Sequence, residues 1–394
     1  MAEKLGLNDI TARGKRVLVR VDFNVPMKDG RITDNTRIRA ALPTILQLIH
    51  DGAKMVLATH LGRPNGFESE FSTEPLAVEL SKLIGQRVQH TGDCIGPKVE
   101  NTINELQEGD ILLLENIRFY KEETQNDAEF ARTLAVLVDM YVNDAFGTAH
   151  RAHASTEGIT RHFDQCAAGL LMEREIEYLG KVVERPEHPF VAILGGAKIS
   201  DKIGVIENLI ESVDALLIGG GMAYTFLKTI GLPIGDSIVE PAKLELASEL
   251  LKKAADRNLG IFLPEDHVIG RELNLCTESR IVARTEIPDG WRGLDIGPKS
   301  VEAFGAIVDG ANTIFWNGPL GMYEFEKFAN GTIEIAKRVA ESDAVSIIGG
   351  GDCVAAVHKA GVADRITHIS TGGGASLEFL EGKSLPGIDA LTDK

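Results

Sequence analysis

Residues 20–26 read RVDFNVP and follow Val17 and Val19 in a run whose apolar residues alternate through Val21. Such alternation reads as a buried strand. Pro26 ends it, because a central strand cannot lose a ladder N–H. Arg20, Asp22 and Asn24 then fall at every second position and share one face of an extended segment. Asp and Asn at a strand end also cap turns, so the trio gains meaning only from the rest of the chain.

Outward from this stretch, strand-like runs alternate with helical patterns in two series. The first comprises 16–23, 54–60, 110–115 and 140–146; the second comprises 190–196, 215–220, 260–266, 313–318, 344–350 and 366–371. Strands alternating with helices predict α/β architecture with parallel sheets. Ligands of such sheets bind beyond the carboxyl ends of the strands, and almost every run here ends in glycine or a polar residue. A helix is expected over 173–185, where Ile176, Leu179, Val182 and Val183 recur at helical spacing before Pro186 and Pro189. We place a domain boundary near residue 186, since 394 residues exceed one typical core.

The composition is 44% hydrophobic and 25% charged, with net charge −17 and no apolar run long enough to span a bilayer. That charge argues against general binding to nucleic acid or anionic membrane. The amino terminus lacks a basic-then-apolar export pattern. Cys94, Cys166, Cys276 and Cys353 show no CxxC spacing, which suits a reducing cytoplasm. Fourteen arginines and 8 lysines precede residue 186, against 7 and 12 after it. Arginine grips carboxylate and phosphate with two-pronged hydrogen bonds.

Each strand end of the first half is followed by arginine. RVDFNVP is followed by a turn at 28–30 and then by Arg37 and Arg39 near the start of a helix; THLGRP brings His60 and Arg63; LLENIRFY brings Arg118; and NDAFGTAHRAHAS brings Arg151. This placement predicts a convergent anion site rather than a solvated face. His150 and His153 are too few for a zinc site without further ligands, and Cys94 and Cys166 read as packing.

The second half replaces arginine with glycine. Run 190–196 continues as GGAKISDKIGVIENLI, where Ile199, Ile203, Ile206 and Ile210 form a helical stripe and Lys198 and Lys202 share an edge of its first turns. Further clusters are IGGGMAY (218–224), IGGGDCVAAV (348–357) and STGGGASLEF (370–379). Each can aim backbone N–H groups at an anion, and Asp352 offers magnesium a hard oxygen. FWNGPLGMYEFE (315–326) adds Asn317, Pro319 and Glu324. Neither GxxxxGK[ST] nor GxGxxG occurs, and EGKS at 381–384 lacks the first Walker glycine because residue 377 is Leu.

RVDFNVP, HLGRP, LLENIRFY, NDAFGTAHRAHAS, GGAKISDKIG, IGGGMAYTF, LDIGP, WNGPLG, GGGD and STGGGAS occur in this order over essentially the whole chain. Together they resemble the phosphoglycerate kinase family. The resemblance implies two doubly wound parallel-sheet domains facing a cleft and joined by a hinge helix. These are a phosphoglycerate-binding domain at 1–172, a connecting helix and hinge at 173–189 and a nucleotide-binding domain at 190–379, with the tail 380–394 packing on the first. It implies substrate binding by Asp22, Phe23, Asn24, Arg37, His60, Leu61, Gly62, Arg63, Arg118 and Arg151. Nucleotide binding would fall to Lys198, Lys202, Gly219, Gly220, Leu294, Asn317, Pro319, Glu324, Gly350, Gly351, Asp352 and Cys353, with Asp352 serving Mg2+. The family usually carries Thr or Ser where Cys353 stands, which casts doubt on a side-chain contact there.

The implied reaction moves the acyl phosphate of 1,3-bisphosphoglycerate to ADP, giving 3-phosphoglycerate and ATP in a cytoplasmic monomer. In reverse the nucleophile is a carboxylate of pKa roughly 4, already ionised, so no general base is needed. Arg37, Lys198 and Lys202 are the expected catalytic groups. Two rival readings are an NAD-dependent dehydrogenase, which lacks its fingerprint here, and a non-catalytic two-domain anion-binding protein.

Overall fold

The computed structural model describes residues 2–274 and 276–394. One compact unit holds the chain through Glu177 together with Ser384–Lys394, and the other is Tyr178–Lys383. The division falls within the helix Leu170–Glu184. That helix starts earlier than the apolar spacing implies, because the Asp144 carboxylate accepts the Leu171 and Met172 N–H groups at 3.0 and 3.2 Å and caps the first turn.

In the first unit, six parallel strands lie in the order Val88–His90, Ile111–Leu113, Lys54–Ala58, Arg16–Arg20, Met140–Asn143 and Cys166–Ala168. Val19 pairs with Leu57 on one side and Val142 on the other. Val17, Leu18 and Val19 are all fully buried, so helices cover both faces of the sheet. The alternation of valines thus marks one face only; Leu18 fills the other. The strand stops at Arg20, and Arg20 itself is fully buried, as Asp22 nearly is. The chain next visits Lys54–Ala58 on one flank and only later Met140–Asn143 on the other, so the winding reverses at the end of Arg16–Arg20. After Pro26, a hairpin turns through Asp29 and Gly30, both at positive φ. The carboxyl-terminal segment bonds within this unit: Asn143 Nδ2 donates to Gly387 O at 3.0 Å, and Cys166 N–H to Thr392 Oγ1 at 2.9 Å.

The second unit has its own six-stranded parallel sheet. Its order is Gly260–Phe262, Ala215–Ile218, Phe190–Leu194, Thr313–Asn317, Val345–Gly349 and His368–Ile369. Numbered along the chain this is 3-2-1-4-5-6, with its reversal between Phe190–Leu194 and Thr313–Asn317. An antiparallel sheet of Ser279–Ala283, Asp266–Gly270 and Arg292–Ile296 accompanies it. The expected single strand 260–266 is therefore two pieces in different sheets. Pro264, which has no N–H to give a ladder, lies in the gap. Fully buried Ile193, Ile314, Trp316 and Ile348 hold the centre of the main core.

Candidate active site

Arginines of the first unit gather around one cavity of about 960 Å³, lined among others by Arg63, Arg118, Arg151 and His153. Each comes from the loop after a parallel strand. Arg118 sits in the 3-10 turn Ile117–Phe119, which Asn116 caps by accepting the Arg118 N–H at 3.1 Å. Its Nη1 donates to Gly62 O at 2.9 Å, while Nε and Nη2 are buried without a hydrogen-bond partner. Burial, then the charges of Arg20 and Arg151, lower its pKa to about 10. None of Arg63, Arg118 and Arg151 pairs with a carboxylate among the described residues. Buried donors left unmatched are expensive, and an anion in the cavity would satisfy them.

Gly62 stitches this wall together. Its N–H donates to Asn24 Oδ1 at 2.9 Å, its carbonyl accepts from Arg118, and a Cβ here would lie 2.4 Å from the Phe71 ring. Asp22 accepts Arg37 Nη1 at 2.6 Å, which holds that guanidinium above the first turn of the helix Thr36–His50. His60 is buried, with Nδ1 3.2 Å from Arg20 Nη2 and 3.9 Å from Asp22 Oδ1. Burial, then Arg20, Arg118 and Arg37, holds its pKa well below the usual histidine range, so the ring is neutral. Burial and Arg118 likewise lower His153 to about 3. Phe23 and Leu61 carry core side chains; the Phe23 N–H bonds to Thr59 Oγ1 at 2.9 Å. They can offer a ligand main-chain groups only.

In the second unit the strand-end loops bond to one another through backbone. Gly195 N–H donates to Asn317 O at 3.0 Å, Gly196 N–H to Pro319 O at 2.8 Å, and Gly220 N–H to Leu320 O at 3.0 Å. A Cβ on Gly195 would lie 2.1 Å from Pro319 O, and one on Gly219 2.6 Å from Leu320 Cδ2. Loop-on-loop packing by itself requires glycine at these positions. Gly351 is different: nothing lies within 4 Å of its missing side chain. It opens the helix Gly351–Lys359, whose first turn carries an exposed Asp352. Asn317, 2% exposed at the point where the winding reverses, leaves Nδ2 without a partner. Leu294 accepts the Met322 N–H at 2.8 Å, bringing it beside the loop of Pro319 and Glu324.

Lys198 and Lys202 do not share a helical edge. The helix is Ile203–Leu209, and both lysines precede it, Lys198 exposed and Lys202 half-buried. The Ser200 N–H bonds to Glu240 Oε2 at 3.1 Å, outside any helical ladder. Burial lowers the Lys202 pKa, opposed by nearby Cys353, Asp201 and Asp352. Cys353 is buried, which raises its thiol to about 12 against the Gly318 N–H bonded to it. Sequence reading missed Glu123 and Ser155, both buried beside the arginine cluster. Glu123 hides in KEET (121–124), which reads as a charged surface run.

A profile described as phosphoglycerate kinase matches residues 7–383. The phosphoglycerate kinase of Moorella thermoacetica is 56% identical over 99% of this chain and 100% of its own. The cytosolic phosphoglycerate kinase of Nicotiana tabacum is 54% identical over 98% of each. The solved structure of phosphoglycerate kinase from Coxiella burnetii superposes with a TM-score of 0.90 at 41% identity, covering 98% of both chains. These findings give no support to the dehydrogenase or the non-catalytic reading. The chain belongs to the phosphoglycerate kinase family, the glycolytic phosphotransferases whose acceptor is a carboxyl group.

Proposed function

We propose that the first unit holds 3-phosphoglycerate or 1,3-bisphosphoglycerate and the second holds ADP or ATP. The observation that carries this reading is Arg118, which lines one cavity with Arg63 and Arg151 and keeps two buried nitrogens unpartnered. In this reading Arg63, Arg118, Arg151 and His60 hold the 3-phosphate, with main-chain groups of Leu61 and Gly62 beside them. Asp22, Asn24 and the Phe23 backbone orient the glycerate hydroxyl and carboxyl. Arg37 and Lys202, assisted by Lys198, neutralise the phosphoryl oxygens in transit. Gly219, Gly220, Leu294, Asn317, Pro319 and Glu324 form the adenosine pocket, while Gly350, Gly351, Asp352 and the Cys353 main chain serve the phosphates. The acceptor carboxylate is its own nucleophile, so the chain supplies position and charge rather than a base.

Mg2+ fits Asp352. It is a hard oxygen donor, and no group of three His, Cys, Asp or Glu stands ready to cage an ion among the described residues. Magnesium is commonly held by one or two carboxylates together with substrate phosphates, so Asp352 would steady an ion that offsets phosphate charge. Transfer also requires the two loaded units to approach and exclude water, since an acyl phosphate hydrolyses readily. We assign the protein to the cytoplasm as a monomer with no nucleic acid or membrane partner. No helix among the described residues is long and apolar enough to cross a bilayer. Calorimetric titration of 3-phosphoglycerate into Arg118→Ala tests the anion site. We expect affinity to fall at least ~30-fold, as for a desolvated charge pair cut at one end; unchanged affinity would refute the assignment.

A further inference from the structure

Arg20 belongs to the motif that opens the chain's chemistry, yet it is wholly buried and takes no part in the cavity wall. All three of its nitrogens donate to the protein: Nε to Ser155 Oγ at 2.8 Å, Nη1 to the Val21 carbonyl, and Nη2 to His60 Nδ1 at 3.2 Å. Behind the serine stands Glu123, also wholly buried. Ser155 gives it both donors, Oγ to Oε1 at 2.7 Å and N–H to Oε2 at 2.9 Å. The hydroxyl proton is therefore committed to Glu123, and the serine oxygen can only accept from Arg20.

A guanidinium has no lone pair to offer. Whatever faces Arg20 Nη2 must accept, so His60 Nδ1 carries the lone pair and the ring proton is left on Nε2. The alternative partner for a protonated Nδ1, Asp22 Oδ1, is 3.9 Å away and beyond hydrogen-bond range. Asp22 is engaged instead by Arg37 Nη1 at 2.6 Å. We propose that Glu123, Ser155 and Arg20 form a buried relay that fixes His60 as its Nε2–H tautomer, poised to donate to the bound phosphoglycerate. These three are positioning residues; only His60 touches substrate. The proposal rests on the reading of His60 as a substrate contact, and it adds a reason for the ring's neutrality beside so many cations: a neutral ring of this tautomer donates one N–H and adds no charge to the cluster.

The test reads the tautomer directly. Enzyme carrying 15N-histidine is examined at pH 7 by long-range 1H–15N correlation, with His60 identified by its loss in His60→Ala. The wild type should show the Nε2–H pattern, and Ser155→Ala should blur it toward a mixture. In the same variant KM for 3-phosphoglycerate should rise about tenfold, the scale of one charge-assisted hydrogen bond, while kcat and the nucleotide KM stay within about twofold. A wild-type ring protonated on Nδ1, or on both nitrogens, overturns the relay even if Ser155→Ala fails to fold. So does a folded Ser155→Ala with unchanged tautomer and KM. His60→Ala separates the two layers. A raised KM there with a silent Ser155→Ala strikes the relay alone, whereas an unchanged KM in His60→Ala removes the substrate contact on which it depends.

Discussion

In the function proposed above, the two units meet phosphate in opposite ways. The first surrounds it with side chains, guanidinium groups delivered from four strand ends and held by Asp22, Asn116 and the Gly62 carbonyl. The second would present main chain, at the open Gly351 start of the helix Gly351–Lys359, behind which loops close on one another through Gly195, Gly196 and Gly220. Side chains deliver full charge but must be prevented from folding onto carboxylates, and buried Arg118 shows the cost in unmatched donors. Backbone amides bring only partial charge, yet they need no reorganisation once packing has set them. The charged wall should therefore fail through single side chains, the backbone wall through geometry.

The sharpest break in this comparison is Arg37→Ala. Asp22 holds that guanidinium in place through the 2.6 Å contact, so in the proposed reading its loss removes a preset donor to the moving phosphoryl group. We expect kcat to fall about a hundredfold with a smaller change in either KM. Steady-state kinetics with both substrates varied would check this, and an intact kcat would demote Arg37 to a ground-state contact.

Second in size is the backbone wall. Gly220 has φ +65, and a Cβ there would lie 2.7 Å from Gly196 N and 2.8 Å from Pro319 O, both backbone. Gly220→Ala carries roughly 1–2 kcal/mol of left-handed strain in addition to that clash. The nucleotide KM should rise at least about tenfold while KM for 3-phosphoglycerate holds, because no side chain of the arginine cluster is touched. Equal damage to both constants would show that the two walls are not independent.

These contrasts explain what the sequence could show. Arginines after apolar runs are legible because a charged residue at a strand end stands out against the run before it, and Arg63, Arg118 and Arg151 do line one cavity. Both parallel sheets were legible for the same reason. Glu123 was not, since KEET has the composition of solvated surface and only the long-range bond to Ser155 reveals its burial. Arg20 was seen but its burial was not, because period-two spacing tells which side chains share a face and not whether that face is covered. The glycines were legible as necessary, but not as packed: nothing local distinguishes Gly195, pressed on Pro319, from Gly351, which faces open space. Short edge strands such as Val88–His90 are too brief for any period to register.

Buried carboxyls give the comparison a pH axis that the two units share. Burial raises Asp144 to about 7 in the first unit and Asp295 to about 8 in the second. For an acid whose folded pKa lies above its unfolded value of about 3.9, the folded state holds more protons between the two. Stability then falls as pH climbs through that window, and for Asp144 the loss is complete above about pH 7. Asp144→Asn should flatten the slope and gain about 4 °C in Tm at pH 8 relative to pH 5. Calorimetric scans at both pH values decide it; an equal effect at each would mean the carboxyl is ionised throughout.

The smallest effect expected is at Cys353, and its smallness is informative. A wall made of backbone should not notice which small side chain stands behind it. The thiol is fully buried, bonded to the Gly318 N–H and raised to about 12, so it is neither a thiolate nor an exposed donor. The Cys353 main chain, in the first turn of Gly351–Lys359, remains free to serve phosphate whatever the side chain. Cys353→Thr should leave kcat and the nucleotide KM within a few-fold of the parent, and alkylation should modify exposed Cys276 long before Cys353. A large gain in activity on adding the hydroxyl would show that the second unit, like the first, grips its anion by a side chain, and the division of labour between the two walls would have to be redrawn.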